Sequence, residues 1–404
     1  MIMQLKQIEL AAERLRGVVH KTVVNSSRTF SELSGAEVYL KCENLQKTGS
    51  FKVRGAYNKI ARLSEGGAVP ELVASSAGNH AQGVAYAAAA VGSKATIVMP
   101  RSTPIAKISA TEGYGAQVVL YGDCYDEAYE YAMELTRERS AVFIHPFDDE
   151  DVIAGQGTIS LEILKSLPTA NTVLVPAGGG GLLAGMAACI KQINPSIQVI
   201  GVQAQEADAI VRSFRQGCHI TTETSSTIAD GIAVRNPGVL TTELICKYVD
   251  DMVTVTDNEI AETILFLLER TKMVVEPAGA ASLAAAINHK ADIGGKRVVC
   301  ILSGGNIDVG LIHRVVERVL VTRGRQMKFR TIMKDAPGSL QRFSTLVAGT
   351  GANIIMFQHD RLHTGLQLGD AIIHVSCEVS GWEHGKQVVK SLENEGYEII
   401  VESV

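Results

Sequence analysis

The chain has 404 residues, 46% hydrophobic and 20% charged, which predicts a folded protein of two or three domains rather than a disordered one. Its formal net charge of −5, without a long basic run, argues against nucleic acid or an anionic membrane as partner. Seven scattered cysteines without a C-x-x-C pair predict reduced thiols in a cytoplasm and no metal centre, and the opening MIMQLKQIEL lacks a secretory pattern.

Ser50-Phe51-Lys52-Val53-Arg54-Gly55 comes first, at the predicted opening of a helix. A lysine among small and apolar neighbours is poorly placed as a solvated charge and well placed as an amine that must lose a proton and attack a carbonyl. Taken alone it would be an ordinary helix-start lysine. Next, Ser75-Ser76-Ala77-Gly78-Asn79-His80 enters an alanine-rich helix over 81–90. Hydroxyls, an amide and free N–H groups at a helix start suit a carboxylate, although each residue alone reads as a cap. The low-charge stretch near Gly83–Ile97 reads as a buried helix and strand, not a membrane span.

From about Val69 to Ile307, short apolar strands alternate with helical segments, which predicts a parallel sheet covered by helices on both faces. Val173-Leu174-Val175-Pro176 runs into Ala177-Gly178-Gly179-Gly180-Gly181 and then into a helix over 182–192. Four glycines at a strand end let the backbone turn tightly and aim several N–H groups at one anion, with the helix dipole behind them. That is a phosphate cup. Gly179-x-Gly181-x-x-Ala184 also fits a loose dinucleotide fingerprint, but the next strand ends at Gln203 where an acidic residue is needed. A P-loop fails too, because no Gly-Lys-Ser/Thr follows the glycines.

Thr256-x-x-Glu259 has capping-box spacing, with Ile260, Ile264, Leu267 and Leu268 on one face of the helix it opens. After the buried strand Val298–Leu302, Ser303-Gly304-Gly305-Asn306 could present a hydroxyl to a flat ring lying close to the backbone. A helix over 311–321 ends in the polar stretch Thr322–Gln326, where the pattern changes and a domain boundary is expected. The tail then reads strand 329–333, turn Asp335-Ala336-Pro337-Gly338, helix 339–348, strands 353–359 and 371–379, helix 382–395 and strand 398–402. That βαββαβ order in about 75 residues is a ferredoxin-like unit.

Together these segments resemble the fold-type II pyridoxal-phosphate enzymes, most closely the threonine ammonia-lyases (threonine dehydratases). The resemblance covers roughly residues 1–320 through the Lys52, Ser75–Gly83, tetraglycine and Ser303–Asn306 motifs, with Ala229-Asp230-Gly231 and Glu276-Pro277-Ala278-Gly279-Ala280. It implies an α/β, two-lobed catalytic domain (tryptophan synthase β-like) over 1–324. Its large lobe would take about 1–45 and 146–320 and its small lobe about 46–145, followed by an ACT regulatory domain over 325–404. It implies pyridoxal 5'-phosphate as cofactor, carried by Lys52 as an internal aldimine, with Phe51 beside the ring. By the same resemblance Asn79 donates to the ring's 3-oxygen, Gly178, Gly179, Gly180 and Gly181 hold the phosphate, and Ser303 meets the pyridine nitrogen. Ser76, Asn79 and His80 would bind the substrate carboxylate. The tail's Asp335, Pro337 and Gly338 would sit at an effector site for an amino acid, and ACT pairing implies a homo-oligomer.

The implied reaction is elimination and deamination of L-threonine to 2-oxobutanoate and ammonia, with L-serine as secondary substrate. Serine racemases of this family carry serine where this chain has Ala77, and acidic residues where it has Gln203 and Ala209. These departures argue against two-base racemisation and against a divalent metal; a monovalent cation stays open. A serine-preferring dehydratase or racemase is the nearest alternative, and a non-catalytic amino-acid sensor is the alternative of a different class.

Overall fold

The computed structural model describes residues 3–67, 69–362 and 365–402. The chain divides into two compact units, Met1–Ile307 and Asp308–Val404. The first holds two sheets. The larger has six strands in the order 24–26, 37–42, 297–302, 172–176, 198–204 and 251–255. All neighbours are parallel except the first pair, so the parallel sheet read from the sequence gains one antiparallel edge strand, Val24–Ser26. The smaller sheet is wholly parallel, in the order 117–120, 95–99, 72–75, 142–143. Thr172–Pro176 and Leu72–Ser75 are buried at every position, which is why they read as unbroken apolar runs rather than alternations.

Glycines set how closely the helices cross. A Cβ on Gly185 of the helix Gly181–Ile193 would lie 2.2 Å from the Ile153 carbonyl oxygen of the helix Glu150–Ser166. One on Gly155 would lie 2.6 Å from the Arg54 carbonyl oxygen of the helix Lys52–Ser64. Gly83, in the helix Asn79–Val91, leaves a Cβ only 3.2 Å from the Lys52 and Val53 backbone. The first turn of the Lys52 helix is thereby held between neighbours whose lack of side chains admits it. The capping box at Thr256 forms as read, on a helix that passes into a π-turn over Leu267–Thr271. All seven cysteines are free, and among the described residues no helix is long and apolar enough to cross a membrane.

The second unit, Asp308–Val404, includes the helix Val309–Thr322. Its sheet is antiparallel, in the order 353–360, 370–378, 326–334, 400–401, with helices Ser339–Gly349 and Trp382–Asn394 between strands. This is the expected βαββαβ unit, except that the last strand pairs only over Ile400–Val401. Met327, Phe329, Thr331 and Met333 alternate inward, and Phe343, Val347, Val388 and Leu392 meet them from the helices.

Candidate active site

The site residues lie at the carboxyl ends of the parallel strands, where α/β sheets leave their crevice. Lys52 begins its helix, as read, and its Nζ donates to the Pro146 carbonyl at 2.8 Å. Its side chain is half-buried, yet the surroundings are dense. Burial lowers its pKa to about 8, opposed by the nearby negative charge of Glu276. Nζ also stands 5.4 Å from the centre of the Phe51 ring. The Phe51 N–H donates to the Ser303 carbonyl at 3.1 Å, and Ser50 pairs with Gly304 in an antiparallel bridge. Two motifs from opposite ends of the catalytic unit are thus laced together.

In the tetraglycine turn Gly180 has φ +94°, a left-handed conformation. A Cβ on Gly179 would lie 2.2 Å from the Phe147 ring, and one on Gly178 would lie 2.8 Å from Ile232 Cα. The Gly179 carbonyl is turned away by the Thr241 hydroxyl at 2.7 Å and the Gly238 N–H at 3.3 Å. Asp148 fixes that clamp, accepting from the N–H groups of Val239 and Thr241, each at 3.1 Å. The N–H groups of Gly179, Gly180 and Gly181 make no hydrogen bond among the described residues. Unpaired donors at a helix N-terminus fit a phosphate. Phe147, Asp148, Gly238 and Thr241 were not legible as site residues, because each matters only through this tertiary clamp.

Asn79 is the first residue of its helix, after Gly78. Its Nδ2 donates to Glu276 Oε1 at 2.7 Å, and its Oδ1 accepts from Asn306 Nδ2 at 2.7 Å. The Ser76 hydroxyl accepts the Gly78 N–H at 3.3 Å. The His80 side chain is committed elsewhere: buried, it pairs through Nε2 with the Ile144 carbonyl at 2.8 Å, and burial followed by the Lys52 charge lowers its pKa to about 3. It is a neutral imidazole, so a substrate carboxylate can use the N–H of His80 but not a charge on its ring. The Ser303 hydroxyl is nearly buried and makes no hydrogen bond among the described residues.

Glu276, in the sequence one residue of the segment Glu276-Pro277-Ala278-Gly279-Ala280, is the buried acid beside Asn79. It precedes the helix Pro277–Ile287, its backbone N–H donates to the Gly304 carbonyl at 3.0 Å, and it is 8% exposed. Burial raises its pKa to about 7, against the Asn79 hydrogen bond and the Lys107 charge, which lower it. Its placement at the meeting of three separated segments is what sequence spacing cannot convey. Asp335, Pro337 and Gly338 lie in the second unit on an exposed turn, where Asp335 pairs with Arg361 at 2.8 Å and Gly338 has φ +89°.

An amine that can be neutral near physiological pH, an anion cradle and a hydroxyl at a neighbouring strand end define a site for a phosphorylated aldehyde. The chain belongs to the pyridoxal-phosphate dependent enzyme family, whose model matches residues 15–304, and its cofactor is pyridoxal phosphate. It is 49% identical over 395 residues to the L-threonine ammonia-lyase of Thermotoga maritima, covering 98% of each chain. Among solved structures it is similar to the processed threonine deaminase isoform 2 of Solanum lycopersicum, at a TM-score of 0.74 and 37% identity over 78% of this chain and 87% of that one. Maize serine racemase matches at a TM-score of 0.75 and 35% identity, over 80% of this chain and 99% of that one.

Proposed function

We propose that the chain is a threonine ammonia-lyase, converting L-threonine to 2-oxobutanoate and ammonia, with L-serine as secondary substrate. The observation that carries this is the 98% coverage of a threonine ammonia-lyase at 49% identity, with the Lys52 amine set among separated glycine motifs. Bound pyridoxal phosphate supplies the electron sink that acidifies the amino acid's Cα–H. Lys52 holds the cofactor and, once free, takes the Cα proton as a neutral amine of lowered pKa. Phe51 packs beside the ring, Gly178, Gly179, Gly180 and Gly181 hold the phosphate, Asn79 faces the ring oxygen and Ser303 the ring nitrogen. Ser76, Asn79 and the N–H of His80 orient the substrate carboxylate.

Racemisation is the second reading, favoured by the likeness to maize serine racemase. Ala77 speaks against it, because it offers no hydroxyl for a second proton transfer. The deciding experiment incubates the enzyme with L-threonine and with L-serine, measuring 2-oxo acid, ammonia and the optical rotation of recovered substrate. Equal yields of 2-oxo acid and ammonia with L-substrate recovered are expected, and Lys52→Ala should abolish them. Accumulation of D-amino acid with little 2-oxo acid would overturn the assignment. A chain that binds threonine without any product would be the non-catalytic sensor. Threonine and serine differ by one methyl, a discrimination of about 1–3 kcal/mol, so both should react.

The second unit is read as an ACT domain that binds an amino-acid effector at the Asp335–Gly338 turn and supports assembly into a homo-oligomer. Seven free thiols favour a cytoplasmic enzyme.

A further inference from the structure

Glu276 has a place in the site that neither its motif nor the reaction explains. Its carboxylate fills space that a glycine leaves: a Cβ on Gly304 would lie 2.2 Å from Oε1. From there Oε1 accepts one hydrogen of Asn79 Nδ2 at 2.7 Å. On the other side, Asn306 Nδ2 donates both to the Thr48 carbonyl and to Asn79 Oδ1, each at 2.7 Å. Gly49, at φ +72°, makes room for Asn306, since a Cβ there would lie 2.3 Å from its Oδ1.

The chain of donors and acceptors has one direction. The Thr48 carbonyl can only accept, so it fixes which side of the Asn306 amide carries nitrogen. That nitrogen then fixes Asn79 Oδ1, and Glu276 Oε1, an acceptor whether or not the other carboxyl oxygen carries a proton, fixes Asn79 Nδ2. An asparagine amide free to flip would offer its oxygen as readily as its nitrogen. Here flipping would set oxygen against carboxylate and nitrogen against nitrogen, two clashes for no gain. The second Nδ2 hydrogen of Asn79 is left without a partner among the described residues.

We propose that Glu276 is a positioning residue that locks the Asn79 amide so that its spare N–H is always presented to the cofactor's ring oxygen. It acts through Asn79 and rests on the reading of Asn79 as a cofactor contact. A salt link to Lys52 is a weaker account of the same carboxylate, because no ion pair between them forms within 4.0 Å while the Asn79 hydrogen bond does.

The test is a double-mutant cycle on pyridoxal phosphate affinity, measured by titrating apoenzyme and following protein fluorescence. Asn79→Ala and Glu276→Ala should each weaken binding by about tenfold, and the double variant should bind no worse than Asn79→Ala alone. Glu276→Gln keeps an acceptor oxygen without the charge and should restore affinity to within about threefold of the parent. Independent effects that multiply in the double variant would overturn the proposal, as would a Glu276→Gln enzyme as weak as Glu276→Ala. If Glu276→Ala does not fold, Asn306→Ala takes its place in the cycle with the same expected non-additivity. Threonine turnover by the parent enzyme, run alongside, separates the outcomes: an active parent with a multiplying cycle removes only the role of Glu276, whereas an inactive parent removes the assigned reaction.

Discussion

Lys52 is an amine whose charge the fold works against, and that has a measurable consequence before any cofactor binds. Its pKa falls to about 8 in the folded chain from 10.5, with burial as the main cause. Below pH 8 the ammonium is present in both folded and unfolded chains, so the cost of burying it is borne in full. As pH rises from about 8 to 10.5 the folded chain sheds the proton first and the cost is relieved. Apoenzyme carrying Lys52→Met should therefore be more stable than the parent at pH 7, by about 1–3 kcal/mol in urea unfolding, with the difference shrinking towards pH 10.5. A difference that stays constant across that range would contradict the lowered pKa. Glu276 runs the other way: raised to about 7 from 4.5, it costs stability as pH climbs through that interval, so both groups weigh on the apoenzyme at neutrality. Of the two, only Lys52 was legible in the sequence. A lysine at a helix start among apolar residues is a local oddity, whereas Glu276 before a proline is an unremarkable helix N-terminus. Its meaning comes from Asn79, brought to it by the fold.

The helix that carries Lys52 is anchored by charge as well as by glycine contacts. Two residues along, Arg54 is 1% exposed and holds the fully buried Glu43 through two bonds of 2.8 Å, with Glu162 on a third at 2.7 Å. Lys41 joins them, bonding Glu162 at 2.5 Å and the Thr22 carbonyl at 2.9 Å. Burial alone would push the Glu43 carboxyl up, but the charge and hydrogen bonds of Arg54 outweigh it and hold the pKa below 4.5. Arg54→Met should cost about 3–5 kcal/mol in urea unfolding, because it leaves Glu43 charged and without its main partner. Replacing Glu43 by Met as well should recover most of that loss, since an apolar pair of similar volume suffers no such penalty. A double variant as unstable as the single one would show that the network holds the helix by shape rather than charge. None of this could be read in advance: residues 41, 43, 54 and 162 lie on separate elements and share no spacing. The helices and strands themselves were readable, because capping at Thr256, alternation in the tail and the glycine turn are each settled within a few residues. The antiparallel edge strand Val24–Ser26 was not, being three residues long with a mixed burial pattern.

At the scale of the whole molecule, the proposed cofactor and substrate contacts all fall between Phe51 and Ser303, inside the first unit and inside the family match of 15–304. The second unit has a core of its own around Phe329, Phe343 and Val375. Its sheet is bounded by the strands Asn353–Asp360 and Ile400–Val401, which leave Ile355, Met356, Ile400 and Val401 exposed. Sheet edges with unpaired backbone groups and apolar side chains favour pairing with another chain. The proposed reading divides the labour, with chemistry in the first unit and effector response and assembly in the second. A chain ending at Gly324 should keep threonine turnover within about threefold of the parent, a change of under 1 kcal/mol in barrier. It should also lose any shift of the threonine saturation curve by an amino-acid effector, for which isoleucine and valine are the two probes, and sediment as a smaller species. Responses to each amino acid, measured on both chains, decide the matter. If the shortened chain still responds, the effector binds in the first unit. If the full chain gives a hyperbolic curve that neither amino acid moves, the second unit serves assembly alone, because a ligand without differential affinity for two states cannot shift them.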